Sequence, residues 1–304
     1  MANAENEFGG PWTEVKLDAI SDYLGFYTAA LKAQPNPSRP FHLWYVDAFA
    51  GSGERTVVME SGGIFDGMPI TSARVQLDGS AKRALAITPP FKHLVFIEQH
   101  RKRFTALKHL ETSNPSRGIQ CWDGDANESL GRLFRSPPWS EQKGGRGIHR
   151  AVVFLDPFDM AVQWKTLKLL AETGAVDVWY LFPLNAVVRQ LAHDYGAVTA
   201  DKQASLDEIF GTASWRDELY ETRTQRTLFD EPSTSTHRKV TQREIETYFH
   251  GRLAGIFPYV SKPLPLLTPR GAQLFSLFCA SANGSPAARA LVAKGVDHVL
   301  KKYR

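Results

Sequence analysis

The sequence predicts a doubly wound α/β fold, a Rossmann-like and mostly parallel sheet with helices on both faces. Four apolar runs predict its strands: FHLWYVDAF at 41–49, KHLVFIE at 92–98, AVVFLDPFD at 151–159 and DVWYLFP at 177–183. Helical patterns alternate with these runs, as in RKRFTALKHLE and VQWKTLKLLAE. Strands that are apolar throughout are typical of a sheet that is buried on both faces. Their alternation with helices favours parallel pairing.

The first half of the chain begins with a predicted helix from Trp12 to about Lys32, which the proline-rich QPNPSRP ends. After the first strand, residues 54–80 are weakly patterned and are interpreted as an insertion. Ser80 is expected to cap a short helix, AKRALAI. A short strand is predicted near IQCW, followed by the acidic turn GDAN and the amphipathic segment ESLGRLF.

The second half adds elements to this core. Residues 186–250 are predicted to be a helical insertion that contains an exposed polar loop, TRTQRTLFDEPSTSTHRK. IFPYVSKPLPLL and AQLFSLFCAS predict an antiparallel hairpin whose prolines place its first strand near a sheet edge. A final helix starts at Ser285-Pro286. The predicted organisation is therefore an N-terminal helical segment (1–40), an α/β core (41–185), the helical insertion (186–250) and a C-terminal hairpin and helix that complete the core (251–304).

Composition narrows the class of protein. The 304 residues are 43% hydrophobic and 22% charged, which is ordinary for a globular protein with a sizeable core. No apolar run approaches the roughly 18 residues that span a bilayer, and the first residues lack the pattern of a secretory signal. The two cysteines predict neither a disulfide framework nor a cysteine-rich zinc site. We expect a cytoplasmic protein without a membrane partner. The net charge of +4 permits an anionic binding partner.

Acidic residues stand at or just after the ends of four successive predicted strands, and they are Asp47, Glu98, Asp125 and Asp156. Ligands of open parallel sheets bind at the carboxyl ends of the strands, where the strand order reverses. A carboxylate after the second strand can accept both hydroxyls of a ribose, and one after the third can accept an adenine amine. This order predicts an adenosine-bearing cofactor along the sheet edge.

The glycines after the first strand narrow the choice of cofactor. Gly51 and Gly53 allow positive φ and a close approach of the backbone to a ligand. GSGERT lacks the third glycine of G-x-G-x-x-G, and no P-loop sequence is present, which disfavours a dinucleotide and a nucleoside triphosphate. Among the adenosine-bearing cofactors, this leaves S-adenosylmethionine, which has no phosphate, as the predicted ligand.

Each of these residues also has an ordinary structural interpretation. Asp47 alone is more often a turn or cap residue, and the two glycines alone are more often simple turn residues. Glu98 fits the solvated start of a helix together with Arg101, Lys102 and Arg103, and Asp125 fits an Asx turn. The four acids in the right chain order favour the ligand site.

In this order, DAFAGSG, GSAKRAL, FIEQ, GDAN, FLDPF and WYLFP resemble the three-Cys-motif partner protein family (TcmP). The resemblance covers most of the chain, including WTEVKLDAISDYL and FSLFCASANGSPAARAL. The family resembles class I S-adenosylmethionine-dependent methyltransferases and is named for a partner, a radical-type iron–sulfur protein with a three-cysteine motif. The resemblance implies these cofactor-binding residues: Asp47, Phe49, Gly51, Gly53, Glu98 for the ribose, Asp125 for the adenine, and Ala126. It implies a catalytic loop of Asp156, Pro157 and Phe158 beside the transferred methyl group.

Two features depart from standard methyltransferases. The distance from Gly53 to Glu98 is long, so the 54–80 insertion covers the cofactor or binds a partner in this interpretation. D-P-F-D also differs from the D-P-P-Y of amino-methyltransferases, in which the Asp accepts hydrogen bonds from the amine and the aromatic ring stacks on the base. The alternative for DPF is a strand-ending turn with Phe158 packed in the core.

The leading hypothesis is a methyltransferase that modifies an amine, with nucleic acid as the expected acceptor. The alternative is a non-catalytic, cofactor-binding accessory protein of the three-cysteine partner, which the DPFD sequence and the insertion favour. A nuclease built on the same carboxylates is less favoured, because no spacing of acids and a Lys on adjacent strands is evident. The histidines show no paired metal spacing, so no metal site is predicted.

Overall fold

The structure is a computed structural model that describes residues 11–63, 68–142, 147–225 and 233–303. Parts of the predicted segments lie outside these residues: residues 1–10 of the N-terminal segment, 64–67 of the insertion, 143–146 of the α/β core, 226–232 of the polar loop and 304 of the C-terminal segment. In the ranges that are described, no helix is both long enough and apolar enough to span a membrane.

The strands are Pro35–Asn36 (β1), Arg39–Pro40 (β2), His42–Asp47 (β3), Glu54–Gly63 (β4), Met68–Asp78 (β5), His93–Glu98 (β6), Ile119–Asp123 (β7), His149–Leu155 (β8), Val176–Phe182 (β9), Tyr220–Gln225 (β10), Ser233–Arg238 (β11), Tyr259–Val260 (β12), Leu264–Leu267 (β13) and Gln273–Ser281 (β14). The helices are Pro11–Leu31 (α1), Ser80–Ala86 (α2), Arg101–Thr112 (α3), Ala126–Arg135 (α4), Trp164–Glu172 (α5), Leu184–Gln190 (α6), Ala200–Phe210 (α7), Trp215–Leu219 (α8), Gln242–Ala254 (α9) and Pro286–Tyr303 (α10), with a 3₁₀ turn at Tyr195–Ala197.

The main sheet has eight strands in the order β12-β14-β9-β8-β3-β6-β7, with β13 beside β14. The five strands from β9 to β7 are parallel, and β14 is antiparallel to β9, β12 and β13. The chain builds outward from β3 through β6 to β7, and then returns to the other side of β3 to build β8 and β9. The strand order therefore reverses between β3 and β8, which is the usual ligand position in such sheets.

Helices cover both faces of this sheet, as the sequence predicts. Alternate side chains of β3 point to opposite faces, so Val46 belongs to one hydrophobic cluster and Tyr45 to the other. One cluster contains residues of α4 to α9, and the other contains residues of α1, α2, α3 and α10. Both Val46 and Tyr45 are fully buried, which explains why the strand is apolar throughout.

Three antiparallel ribbons were not predicted, and the shortest pairs β1 with β2 in the proline-rich segment after α1. The 54–80 insertion forms the β4–β5 hairpin, in which Glu54 pairs with Asp78. The predicted polar loop is wrong at its flanks, because β10 and β11 pair there, from Tyr220 with Arg238 to Gln225 with Ser233. Thr222, Arg223 and Thr224 are all exposed. The exposed residues 222–224 show no apolar alternation that would predict a strand.

The C-terminal elements confirm their predictions. Strands β12 and β13, the second of which contains Pro265, pair only with β14 among the described strands, which places them at the edge of the main sheet. Ser285 precedes α10, and its Oγ accepts a hydrogen bond from the amide of Ala288 at 3.3 Å. The antiparallel β14 pairs with β9 in the main sheet.

Candidate functional site

The loop after β3 lies at the point where the strand order reverses. The amide of Ala48 donates to the carbonyl of Phe154 in β8, and the amide of Ala50 donates to that of Ile97 in β6. Gly51 and Gly53 have φ of +64° and +77°, which confirms the expected positive values. A Cβ added to Gly51 would meet no atom of the described residues within 4 Å. The loop therefore leaves open space against its backbone.

Asp47 is fully buried at the start of this loop. Its Oδ1 accepts from the amide of Phe49 at 3.2 Å, and Tyr45 donates to its Oδ2 at 3.4 Å. Burial raises the pKa of Asp47 to about 7, and the nearby Asp156 also raises it, while hydrogen bonds from Ser80 and Phe49 oppose the shift. Asp47 thus ties the loop to the strand end and to the first residue of α2.

The predicted capping role of Ser80 is wrong. Ser80 is the first residue of α2, whose N-cap is Gly79 without a side-chain cap. The Ser80 hydroxyl bonds to Asp47 instead. The amide of Gly79 donates to the carbonyl of Gly53 at 2.9 Å, so both ends of the β4–β5 hairpin are fixed to the glycine loop.

Glu98 ends β6 and is 5% exposed. Its Oε1 accepts from the amide of His100 at 2.7 Å, and Nη1 of Arg103 lies 3.9 Å from its Oε2. The Arg103 guanidinium also lies 4.9 Å from the centroid of the Phe158 ring. Arg103 was expected to belong to a solvated helix face. It instead contacts both the predicted ribose acid and the predicted aromatic of the catalytic loop.

Asp156 follows β8 and forms an ion pair with Lys16 of α1 at 2.5 Å. The side chain of Lys16 is 9% exposed and that of Asp156 is 26% exposed. Pro157 is buried, whereas Phe158 is 44% exposed. The alternative in which Phe158 packs in the core is therefore wrong, and its ring borders the site.

Asp125 is exposed and caps α4, with Oδ1 accepting from the amides of Asn127 at 2.8 Å and Glu128 at 3.0 Å. The neighbouring Ala126 is buried, and Phe49 packs against the core beneath the loop. The cap confirms a local structural use of Asp125. The cofactor roles of Asp125, Ala126 and Phe49 stay predictions.

The structure brings Asp47 and Asp156 together with Lys16, and it brings Glu98 together with Arg103 and Phe158. Sequence reasoning missed Lys16, Ser80 and Arg103 as members of this site. Lys16 left a signal, because it lies four residues after Trp12 and four before Ile20, on the apolar face of α1. A cation on such a face needs a buried partner. No comparable signal marks Ser80.

Three histidines, His42, His93 and His149, lie together at the opposite end of the sheet, where β3, β6 and β8 begin. The ring centroid of His42 is 5.0 Å from that of His149 and 6.0 Å from that of His93. Trp44 stacks on His93 at 4.0 Å, and its Nε1 donates to Nδ1 of His149. Across the described ranges, no three His, Cys, Asp or Glu side chains are grouped so that they could hold a metal ion.

Comparison with known proteins gives weak similarities. No protein-family model matches the chain, and no curated protein matches its sequence. Solved structures similar to this chain include a putative methyltransferase from Escherichia coli and methyltransferases of other bacteria. One is an S-adenosylmethionine-dependent methyltransferase from Clostridium acetobutylicum, with 9% identity, a TM-score of 0.34, and coverage of 87% of this chain and 92% of that chain.

Two other solved structures are similar over most of the chain. A Legionella pneumophila protein of the family DUF519 has 11% identity and a TM-score of 0.48, with coverage of 96% of this chain and 93% of that chain. The N-terminal domain of EvdMO1, solved with SAH bound, has 11% identity and a TM-score of 0.37, with coverage of 86% of this chain and 79% of that chain. These values are too low to assign a function.

Proposed function

We propose that this chain is an S-adenosylmethionine-dependent methyltransferase that acts on an amine of a nucleic acid. The observation that carries this proposal is the convergence of Asp47, Glu98 and Asp156 from neighbouring strand ends. They surround the reversal of strand order, beside a glycine loop with open space.

The residues present fit the cofactor. Gly51 and Gly53 let the backbone approach a ligand, and Asp47 holds their loop in place. Glu98 would accept the ribose hydroxyls, since its Oε2 lies 3.9 Å from Arg103, beyond hydrogen-bond distance. Asp125 would accept the adenine amine. When bound, S-adenosylmethionine supplies a methyl group on a sulfonium, which an amine nitrogen can take directly.

The acceptor side of the site is formed by Asp156 and Phe158. The exposed ring of Phe158 offers a surface on which a flat base can stack. Lys16 forms an ion pair with Asp156, and a carboxylate accepts hydrogen bonds from an amine. These contacts orient the nitrogen, and orientation supplies much of the rate of such a transfer. The net charge of +4 supports a polyanionic acceptor.

Calorimetry with S-adenosylhomocysteine tests the cofactor site. We expect saturable binding to the wild-type chain and a loss of about tenfold or more in Glu98→Gln, because the hydroxyls lose a charged acceptor. Asp123→Asn is the matched control, since this exposed acid ends the adjacent strand β7. The absence of binding heat, or equal affinity for Glu98→Gln and wild type, would remove the cofactor assignment.

The ion pair of Lys16 with Asp156 favours a second candidate, a cofactor-binding accessory protein that transfers no methyl group. In that case the acid of the DPF loop is a structural partner of α1. Its proposed partner is a radical-type iron–sulfur protein with a three-cysteine motif, by the resemblance to the TcmP family.

Methyl transfer from radiolabelled S-adenosylmethionine to unmodified RNA and DNA separates the two candidates. The methyltransferase predicts label in nucleic acid that is lost in Phe158→Ala, while S-adenosylhomocysteine binding is retained. The accessory protein predicts cofactor binding without label in any acceptor, together with co-purification of the three-cysteine partner.

A further inference from the structure

A cavity of about 450 Å³ lies at the end of the sheet opposite the strand-end site. Its walls come from the second half of α1 and the first half of α10, and its floor from the starts of β8 and β9 and the end of β14. We call it the α1–α10 cavity. Neither the cofactor nor the acceptor of the proposed methyl transfer uses this end of the sheet.

The cavity arises because two antiparallel helices are in contact along part of their length and then diverge, which leaves a wedge between them. At the end of α10, Lys302 and Tyr303 bond to Asp22 of α1. Further along, the helices touch at Gly295, where an added Cβ would lie 2.5 Å from the Phe26 ring. Beyond this contact α10 presents Ala287, Ala288 and Leu291, and these small or medium side chains leave the wedge unfilled.

The walls of the cavity are mostly apolar and aromatic. Tyr23 and Tyr27 from α1 face it, and Phe41 closes one side. The bodies of both tyrosines are buried, and their centroids lie 6.0 Å apart. Concave sites with apolar and aromatic walls and a few convergent polar groups are typical of small-molecule binding.

Two ionisable groups lie at the floor. Nη1 of Arg150 donates to the carbonyls of Gly147 and His149 at 2.7 and 2.8 Å, and its guanidinium lies 4.3 Å from the Phe41 ring centroid. These contacts fix the guanidinium at the cavity, and burial lowers the pKa of Arg150. Arg150 is therefore a cation that is partly removed from water.

Asp177 already has partners within the fold. It accepts from Tyr23 at 2.8 Å and also from Ser281. Burial raises the pKa of Asp177 to about 6, against these two hydrogen bonds and the charge of Arg150. The shape of the Arg150 guanidinium suits the carboxylate of a ligand, because a planar guanidinium matches a carboxylate. The first turn of α10 lines the same cavity, and the positive end of a helix also favours an anion.

We propose that the α1–α10 cavity binds a small organic acid, with its carboxylate at Arg150 and its aromatic or branched apolar body between the two helices. Two sources share this chemistry: simple apolar acids and apolar amino acids. An amino acid adds an ammonium, for which Asp177 is the acceptor at the floor.

Calorimetric titration of the full chain with 3-phenylpropionate tests the proposal, and 3-phenylpropanamide is the uncharged ligand of the same shape. We expect the acid to bind about tenfold or more tightly than the amide, since a charged contact to a guanidinium is lost. L-phenylalanine distinguishes the sources: tighter binding than 3-phenylpropionate identifies amino acids, and weaker binding identifies simple acids.

Two variants and a control locate the binding. Ala288→Trp fills the wedge and is expected to abolish binding of both ligands. Arg150→Met is expected to lower the affinity for the acid to that for the amide. Arg289→Met, on the same helix turn but outside the cavity lining, should leave both affinities unchanged.

Three results would overturn the proposal. They are the absence of saturable binding of 3-phenylpropionate, equal affinities for the acid and the amide, and unchanged binding in Ala288→Trp. The comparison of ligands uses the wild-type chain, and Ala288→Trp leaves the floor intact, so the test does not depend on the folding of Arg150→Met.

Discussion

At the scale of single residues, the strand-end site places acidic groups where water is largely excluded. Asp47 is fully buried, and its carboxyl is held by the amide of Phe49 and by the hydroxyls of Tyr45 and Ser80. Asp156 lies close enough to raise the pKa of Asp47 further. Ionising the buried Asp47 carboxyl lowers the free energy of unfolding, and measurements of stability against pH can detect this effect.

Asp47→Asn tests this cost. The pKa of Asp47 is about 7 in the folded chain, against about 3.9 for a free Asp, so the folded chain binds more protons between these values. Its stability therefore falls as pH rises through this window. The variant avoids the loss, so its free energy of unfolding relative to wild type should grow by up to about 3 kcal/mol from pH 5 to pH 8.

Urea unfolding at the two pH values measures this difference. Asp123→Asn, at an exposed strand end, is the control and should show no such growth. A difference that stays constant or shrinks as pH rises would contradict the elevated pKa of Asp47.

The Lys16–Asp156 pair provides a second residue-scale prediction. Lys16→Met and Asp156→Ala should each lower the free energy of unfolding by about 3 kcal/mol, because each leaves a largely buried charge without its partner. The double variant leaves neither charge and should lose clearly less than the sum. Additive losses in chemical unfolding would show that the two groups do not interact.

At the scale of elements, the contact between α1 and α10 depends on a glycine. An added Cβ at Gly295 would lie 2.5 Å from the Phe26 ring and 3.3 Å from the Tyr23 ring. Gly251 in α9 is also in a helix, but an added Cβ there would meet no atom of the described residues within 4 Å. Substituting Ala at each position therefore distinguishes the effect of helix packing on stability from the effect of helix propensity.

Gly295→Ala should destabilise the protein by about 1–3 kcal/mol through overpacking. Gly251→Ala should stabilise it by about 0.5–1 kcal/mol, because Ala restricts the unfolded chain and favours the helix. Thermal unfolding of both variants measures the contrast. The same sign of effect at both positions would contradict the close helix contact.

The strands β3, β6, β8 and β9 were predictable because burial on both faces leaves a continuous apolar run. The ribbon of β10 and β11 was not, because its exposed threonines carry no such run. For the site, the acids and the positive-φ glycines follow from sequence order. The contacts of Lys16 and Arg103 do not, because each joins distant elements in space.

At the scale of the whole molecule, the two ends of the sheet respond to acid in opposite ways. The strand-end acid Asp47 has a raised pKa, whereas burial lowers the pKa of His93 at the strand starts to about 4. Lys92, His42 and His149 face His93 and lower its pKa further. Protonation thus favours folding at one end and opposes it at the other.

His93→Phe isolates the second effect and retains a ring that can stack on Trp44. A free His has a pKa of about 6.5, so the unfolded chain binds more protons than the folded chain between about pH 4 and 6.5. Wild-type stability at this site therefore falls as pH drops through that range. Relative to wild type, the variant should be more stable at pH 5 than at pH 8 in urea unfolding.

His109→Phe, at an exposed position of α3, is the matched control and should show no such pH trend. A relative stability of His93→Phe that does not change between the two pH values would contradict the depressed pKa of His93.

The pairing of α1 with α10 has a consequence for biosynthesis. On that face, Tyr45, Phe154 and Trp179 are buried in the hydrophobic cluster to which α1, α2, α3 and α10 contribute. A ribosome makes α1 first and supplies β14 and α10 only after every other strand has emerged. Part of this apolar face of the sheet therefore stays exposed to solvent until α10 has been synthesised. Exposed apolar surface of this kind is what chaperones bind.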